Sequence, residues 1–260
     1  MKLTFLGTGT SQGVPVIGCR CNVCQSSDWH DKRLRTSAMV EVEDVRIVID
    51  SGPDFRQQML RAGVREIDAI LLTHQHKDHI GGLDDVRAFN FVDFPTIRPV
   101  DIYANEATAA CVRKDFDYAF AENKYIGAPE MRLHEISAKE SFRIKGVEII
   151  PIQGKHSDRF EVLGYRIGRL AYMTDFKIIE PKEEKKLQGV DTLVINALRF
   201  KPHHSHLNVE EAMAIIERVR PRQTFLTHLS HDIGLHEESK KRLAAGVELA
   251  YDTLTIDVKE

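Results

Sequence analysis

The run Ile70-Leu71-Leu72-Thr73-His74-Gln75-His76-Lys77-Asp78-His79 ends an apolar stretch with four side chains able to hold a metal, at offsets 0, +2, +4 and +5. At a strand end, offsets of 0 and +2 put His74 and His76 on the same side. The following turn can swing Asp78 and His79 toward a neighbouring point. The spacing is wrong for the helical His-Glu-x-x-His metalloprotease pattern, whose ligands need an i,i+4 face. One ordinary cation cannot easily take all four donors from so short a segment, so two adjacent metals are the economical arrangement. A second cluster, Gly18-Cys19-Arg20-Cys21-Asn22-Val23-Cys24, supplies three thiolates, one donor short of a closed tetrahedral zinc site. In Leu226-Thr227-His228-Leu229-Ser230-His231, the second histidine is available as the fourth.

Short β-type runs must carry these residues. They are Lys2–Leu6, Met39–Val42, Arg46–Asp50, Ala69–Thr73, Val100–Tyr103, Val147–Ile152, Val162–Ile167, Leu170–Thr174, Thr192–Asn196 and Thr224–Thr227. Many are rich in Val, Ile and Leu and flanked by Gly, Pro or Asp, as buried strands are. Helices are expected at Phe55–Ala62, Asn105–Lys114, Pro181–Leu187 and, most clearly, Val209–Arg220. There Asn208 and Glu211 read as a capping pair, Val209, Met213, Ile216 and Val219 recur at helical spacing, and Pro221 ends the run. Mixed elements without a linker predict one α/β domain over residues 1–260, with two sheets covered by helices. Phe89, Phe91, Phe94, Tyr103, Phe116, Tyr118, Phe120 and Tyr125 concentrate in an aromatic-rich insert at about 89–129, either a satellite core or a wall over a substrate pocket.

Composition excludes several functions. Of 260 residues 42% are hydrophobic and 29% charged, and 36 Lys plus Arg against 39 Asp plus Glu leave a net charge of −3. That balance argues against nucleic acid as a partner, since backbone grip needs a basic stripe. No apolar run approaches the ~20 residues of a membrane span, and the first residues are too short for a signal-peptide core. Three clustered cysteines fit a metal site in a reducing, cytoplasmic compartment better than a disulfide framework. Cys111, alone on an Ala-rich stretch, reads as a core residue, and His30, His134, His203, His204 and His236 as polar neighbours.

The His-x-His-x-Asp-His pattern at 74–79 resembles the metallo-β-lactamase superfamily of binuclear metallohydrolases. Val48-Ile49-Asp50-Ser51-Gly52, Lys155-His156-Ser157, Tyr172-Met173-Thr174-Asp175 and Leu226-Thr227-His228 resemble its further motifs in the same order. The resemblance implies an αββα sandwich of two mixed sheets flanked by helices. It implies that His74, His76 and His156 hold one divalent metal, Zn or Mn, and that Asp78, His79 and His228 hold the other. Asp175 and a hydroxide would bridge them, with Asp50 orienting a ligand from behind. Two divalent cations against two carboxylates and a hydroxide leave a positive charge that favours an anionic substrate.

Gly7-Thr8-Gly9, Gly13-Val14-Pro15, the Cys-x-Cys-x-x-Cys run and Thr-His-x-Ser-His are similar to the phosphoribosyl cyclic phosphate phosphodiesterases of phosphonate breakdown. That similarity implies a structural zinc on Cys19, Cys21, Cys24 and His231. It also implies a role for His206, ahead of the capped helix, in contacting phosphate or protonating the leaving oxygen. Asp78 and His206 are thus the expected catalytic pair, and Arg87 and Asn90 are expected substrate contacts. The function implied is a phosphodiesterase for a small or cyclic phosphodiester that attacks through the metal-bridging hydroxide. The alternatives are a superfamily nuclease acting on RNA or tRNA ends and a lactam or thioester hydrolase. A homodimer is the open assembly.

Overall fold

Fourteen strands appear in the computed structural model, which describes residues 1–157 and 160–259. They are β1 (Lys2–Gly7), β2 (Ser37–Val42), β3 (Val45–Ile49), β4 (Ala69–Leu71), β5 (Val100–Ala104), β6 (Met131–Glu135) and β7 (Phe142–Ile144). After these come β8 (Val147–Ser157), β9 (Phe160–Ile167), β10 (Leu170–Met173), β11 (Thr192–Asn196), β12 (Gln223–Thr227), β13 (Val247–Leu249) and β14 (Thr255–Asp257). They build two seven-stranded sheets, in the orders β14-β1-β2-β3-β4-β5-β6 and β13-β12-β11-β10-β9-β8-β7. β3 to β6 run parallel to one another in the first sheet, and β10 to β13 do so in the second. The remaining pairings are antiparallel.

Strand periodicity explains why the runs read as almost uninterrupted apolar sequence. In β3, Ile47 and Ile49 face the second sheet while Val48 faces outward. In β11, Val194 faces inward while Leu193 and Ile195 face outward. Both faces are covered, so neither set can be polar. The inner layer joins Leu3, Phe5 and Leu71 to Tyr165, Tyr172 and Phe225. Outside the first sheet pack helices Phe55–Ala62 and Glu106–Asp115, through Phe55, Met59, Ala109 and Val112. Outside the second packs Val209–Val219, through Ala212, Ile215 and Ile216. The expected αββα sandwich is the observed fold.

The capped helix forms as its sequence predicts: Glu211 N–H donates to Asn208 Oδ1 at 2.8 Å and Asn208 N–H donates to Glu211 Oε2 at 2.9 Å. One expectation is corrected. Residues 89–129 are not an insert, because they contain β5, which pairs with β4 and β6 inside the first sheet. Phe116 is buried there, and Phe89, Tyr118 and Phe120 pack against the same outer cluster, so these aromatics are core rather than a wall over a pocket. Among the described residues, no helix is long and apolar enough to cross a membrane.

Candidate metal centres

The donor side chains meet where the parallel strands of both sheets end. Asp50 follows β3 and His74 follows β4, while Asp175, His206 and His228 come after β10, β11 and β12. His156 lies within β8, at the point where its register with β9 shifts between Lys155 and Ser157. A bulge there re-aims the side chain out of the alternating pattern. Asp50, Asp175 and His228 all adopt left-handed backbone, with φ of 65°, 62° and 56°. Non-glycine residues bear a cost in that region, which persists where surrounding structure over-determines it.

Candidate donor atoms lie within 4.8 Å of one another in the groups His74/His76/His156, Asp78/His79/His228, His74/His79/Asp175 and His156/Asp175/His206. Asp175 thus belongs to two of the four groups and also stands 3.2 Å from His228 Nδ1. Hydrogen bonds behind the donors settle which ring nitrogens remain free. His79 Nδ1 donates to Asp50 Oδ2 at 2.7 Å, which leaves Nε2 facing Asp78 Oδ2 at 3.1 Å and Asp175 Oδ2 at 3.2 Å. His156 Nδ1 donates to the Asp175 carbonyl at 2.9 Å. The Thr73 hydroxyl donates to Asp50 Oδ2 at 2.9 Å, so its oxygen can accept from His74 Nδ1 at 3.1 Å. Each of these histidines therefore turns a bare Nε2 toward the centre, as ligating imidazoles do. His74 Nε2 and His76 Nδ1 are 2.9 Å apart. One cation at ordinary metal–nitrogen lengths of roughly 2.0–2.1 Å could reach both nitrogens.

The electrostatics suit a cation. Burial works against ionisation of Asp78 and Asp175, yet the surrounding histidines hold both carboxyls well below the usual range. Burial keeps His74, His76 and His228 neutral by pushing them down. Ionised carboxylates beside neutral imidazoles are the protonation states a divalent metal requires. His79 is the exception. Burial opposes its charge, but Asp78, Asp175 and Asp50 raise it well above the ordinary value, so the carboxylates around Nε2 favour positive charge at the place where a cation would sit. Nε2 of His79 and Nδ1 of His206 are buried without a hydrogen-bond partner, the kind of orphan a metal or substrate oxygen would satisfy.

His206 sits against this cluster. Its Nδ1 is 3.5 Å from Asp175 Oδ1, and its ring lies 4.6 Å from that of His156 and 4.9 Å from that of His228. Burial pushes its pKa down to about 2. Lys177 fixes the segment from below: its Nζ donates to Glu211 Oε1 at 2.7 Å and to the His206 carbonyl at 3.3 Å. Asn196 staples the turn after Asp175, accepting from Phe176 N–H at 2.8 Å and donating to the Phe176 carbonyl at 2.9 Å.

At the other cluster, Sγ of Cys19, Cys21 and Cys24 lie 3.3, 3.3 and 3.5 Å from His231 Nδ1. Tetrahedral zinc with ordinary Zn–S and Zn–N bonds has S···N edges of roughly 3.6 Å. The Cys24 N–H directed at Cys21 Sγ brings that thiol down to about 6, while burial pushes Cys24 up to about 11. The sequence run into this cluster also touches the first one, since Leu229 N–H donates to the Thr8 carbonyl and Thr10 Oγ1 is 3.2 Å from His228 Nε2.

Two expected substrate contacts do not join the donors. Asn90 is buried, and its amide is consumed by the Arg98 and Glu130 backbone. Arg87 is exposed, with Nε 3.8 Å from Asp84 Oδ2. Sequence reading missed Thr73, Thr10, Thr36, Asn196 and Lys177. A signal for the first existed, because a threonine directly precedes His74, Asp175 and His228 alike. The Thr174 hydroxyl donates to Asp175 Oδ2 at 2.7 Å.

A β-lactamase superfamily domain profile matches residues 45–229. The octanoyltransferase of Porphyromonas gingivalis is 40% identical over 262 residues, covering 100% of this chain but 52% of that protein, so this chain spans about half its length. Zinc-bound PqqB of Methylobacterium extorquens shares the fold at 20% identity, with a TM-score of 0.77 over 99% of this chain and 100% of that one. A crystal structure of a diphosphatase from the PhnP family is 43% identical, has a TM-score of 0.91 and covers 99% of this chain and 98% of its own. With the sandwich and its donor groups, that match places the chain in the β-lactamase superfamily of metal-dependent hydrolases and, within it, in the PhnP family.

Proposed function

We propose that the chain is a phosphodiesterase with a binuclear metal centre that acts on a small or cyclic phosphodiester. The observation that carries this reading is Asp175, one carboxylate within reach of donors on both sides of the centre. His74, His76 and His156 would hold one divalent cation, and Asp78, His79 and His228 the other, with Asp175 between them. Bound there, Zn or Mn would supply Lewis acidity and a nucleophile usable at neutral pH. Cys19, Cys21, Cys24 and His231 would hold a structural zinc. The three thiols suit a reducing compartment, so the protein is assigned to the cytoplasm.

The chain's own residues do the rest. Asp50 orients His79, and the Thr73 hydroxyl joins Asp50 to His74. His206 presents an unbonded ring nitrogen beside Asp175, where its neutral ring can hold a phosphoryl oxygen, or pass a proton to the leaving oxygen where the Asp175 carboxylate offsets the burial that keeps it neutral. Lys177 and the capped start of helix Val209–Val219 fix its backbone. The relative named as a diphosphatase supports hydrolysis at phosphorus. The name octanoyltransferase belongs to a chain about twice as long, so acyl substrates enter as a tested alternative.

The deciding experiment is a hydrolysis panel with Mn or Zn: a bis-aryl phosphate, cyclic nucleotides, cyclic ribose phosphates, a diphosphate, an RNA 3′ end, a lactam and an octanoyl thioester. Small phosphodiesters should be preferred, and Asp175→Ala should lower their turnover by orders of magnitude. Cleavage confined to the lactam, thioester or RNA, or an active Asp175→Ala protein, would overturn the assignment. His206→Ala should lower turnover with metal content intact. A loss that shrinks as the leaving group improves identifies a proton donor, and an equal loss identifies a phosphate contact.

A further inference from the structure

Three histidines step outward from the donor cluster. His206 is buried, with its ring 4.6 and 4.9 Å from those of His156 and His228. The ring of His203 lies 5.2 Å from that of His206 and is half-buried, and the ring of His204, 4.3 Å from that of His203, is exposed. Among the described residues, the ring of His203 meets those of His204 and His206 and no metal donor. It therefore stands at the mouth of the centre. Its loop is tied on several sides. Leu198 N–H donates to the Leu207 carbonyl at 2.9 Å and Val209 N–H to the Arg199 carbonyl at 3.0 Å, which closes the base of the loop. Arg199 spans it, donating to the Pro202 carbonyl at 3.2 Å and pairing at 3.0 Å with Asp232, the neighbour of His231. Asn208 Nδ2 donates to the Phe200 carbonyl at 3.2 Å. A ring carried on such a loop is placed before any ligand arrives.

Hydrogen bonds fix where the His203 ring carries its proton. A backbone N–H can only donate, and that of Ser205 is directed at His203 Nδ1 at 3.3 Å, with the Ser205 hydroxyl at the same distance. Nδ1 is therefore the acceptor. Burial, reinforced by His204, Arg199 and Lys177, pushes the pKa of His203 below its ordinary value, so at neutral pH the ring is uncharged and its one proton sits on Nε2. That N–H finds no acceptor among the described residues, on a ring that solvent reaches. We propose that His203 is a specificity-determining contact whose Nε2–H donates to an acceptor oxygen on the leaving alcohol of the substrate, a few bonds beyond the scissile ester oxygen. The inference rests on the phosphodiesterase reading: a phosphoryl group seated against Asp175 and His206 leaves its alcohol to extend past His206 toward the mouth. An uncharged donor suits the hydroxyl or ether oxygen of a sugar or nucleoside and offers nothing to a plain aryl group. His206 thus serves the phosphoryl end and His203 the alcohol end of one ligand.

Two measurements on the metal-loaded, full-length protein test this. In the first, His203→Ala should lower kcat/KM for a 2′,3′-cyclic nucleotide roughly tenfold, the worth of one neutral hydrogen bond, mainly through KM. The same variant should leave a bis-aryl phosphate, which has no such oxygen, unchanged. His203→Gln, whose amide can set an N–H near the place of Nε2, should recover most of the loss. In the second, calorimetry follows binding of a nucleoside 3′-monophosphate and of inorganic phosphate. The wild type should bind the nucleotide more tightly than phosphate, and His203→Ala should weaken the nucleotide roughly tenfold and leave phosphate unchanged, with metal content by elemental analysis intact. Equal loss on both substrates, no loss on either, loss of metal, or a nucleotide bound no better than phosphate overturns the inference. A wild type that hydrolyses no phosphodiester overturns the phosphodiesterase reading instead, and the binding measurement then decides the role of His203 by itself.

Discussion

Asp50→Asn tests whether the centre is assembled from behind. Asp50 is fully buried and its carboxylate accepts three hydrogen bonds: from Thr73 N–H at 2.8 Å on Oδ1, and from the Thr73 hydroxyl at 2.9 Å and His79 Nδ1 at 2.7 Å on Oδ2. Asparagine has the same size and tolerates the left-handed backbone of this position, so the chain path should persist. It must place an NH₂ where one oxygen was. Set toward Thr73 N–H, that group faces another donor, which costs about 1–3 kcal/mol. Set toward His79, it forces Nδ1 to become the acceptor and moves the proton to Nε2, the atom that faces Asp78 and Asp175. The second setting takes away His79 as a ligand, and the first displaces Thr73, the residue directly before the donor His74. Removing an orienting partner of this kind typically costs 10–100-fold in metal affinity, or about 1.4–2.7 kcal/mol. Chelator-competition calorimetry would read that loss, elemental analysis would locate it at one catalytic metal per chain, and ¹⁵N spectra of the imidazoles would report the tautomer. A variant that binds both catalytic metals with wild-type affinity would refute the reasoning.

Gly52→Ala should weaken metal binding and lower the melting temperature, because an added Cβ would stand 2.0 Å from the Asp78 carbonyl oxygen and displace the loop; a loaded variant with unchanged affinity would show that the loop can give way freely. Cys21→Ser should remove roughly one zinc per chain, lower the melting temperature and reduce activity without touching a catalytic donor. Unchanged zinc by elemental analysis would rule that site out. His236 is buried against Arg33, whose guanidinium lies 3.2 Å from its Nδ1, and burial and that charge push its pKa down to about 4. The folded state thus binds fewer protons than the unfolded one between pH 6.5 and about 4, so stability is lost as pH falls through that window. The loss is at most about 3 kcal/mol. In urea titrations at pH 7 and pH 4, His236→Asn should show a shallower fall than wild type, and equal falls would contradict the linkage.

The strands that could be read from sequence differ physically from those that could not. All ten apolar runs expected to be strands appear, within a few residues at each end. The four that escaped notice are β6, β7, β13 and β14, and these are the edge strands of the two sheets. An edge strand pairs on one side only and is half exposed, so its sequence need not be apolar on both faces. Met131-Arg132-Leu133-His134-Glu135 and Thr255-Ile256-Asp257 show this mixture. The supposed insert failed for a related reason. Its aromatics were conspicuous, but the segment's contribution to the sheet is five residues, Val100–Ala104, without any aromatic cluster of their own.

The donors themselves were legible because ligand chemistry demands residue type and short spacing, and both are written locally. Their supports were not. Asp50, Asp175 and His228 each leave a strand through a left-handed residue that is not glycine, a choice no local propensity favours. What stabilises it lies elsewhere in the chain: Thr73 for Asp50, Asn196 for the turn after Asp175, and Thr36, whose Oγ1 stands 3.2 Å from His228 Nδ1. Each partner comes from a different strand end, separated from the residue it serves by between about twenty and two hundred positions. The misread Asn90 makes the converse point. It was expected to contact substrate, yet its burial against Arg98 and Glu130 is decided in part by a chain segment forty residues away. Residues that touch a metal announce themselves by type, whereas residues that hold those donors in place are common Thr, Asn and Lys, whose meaning is set by what the sheets bring beside them.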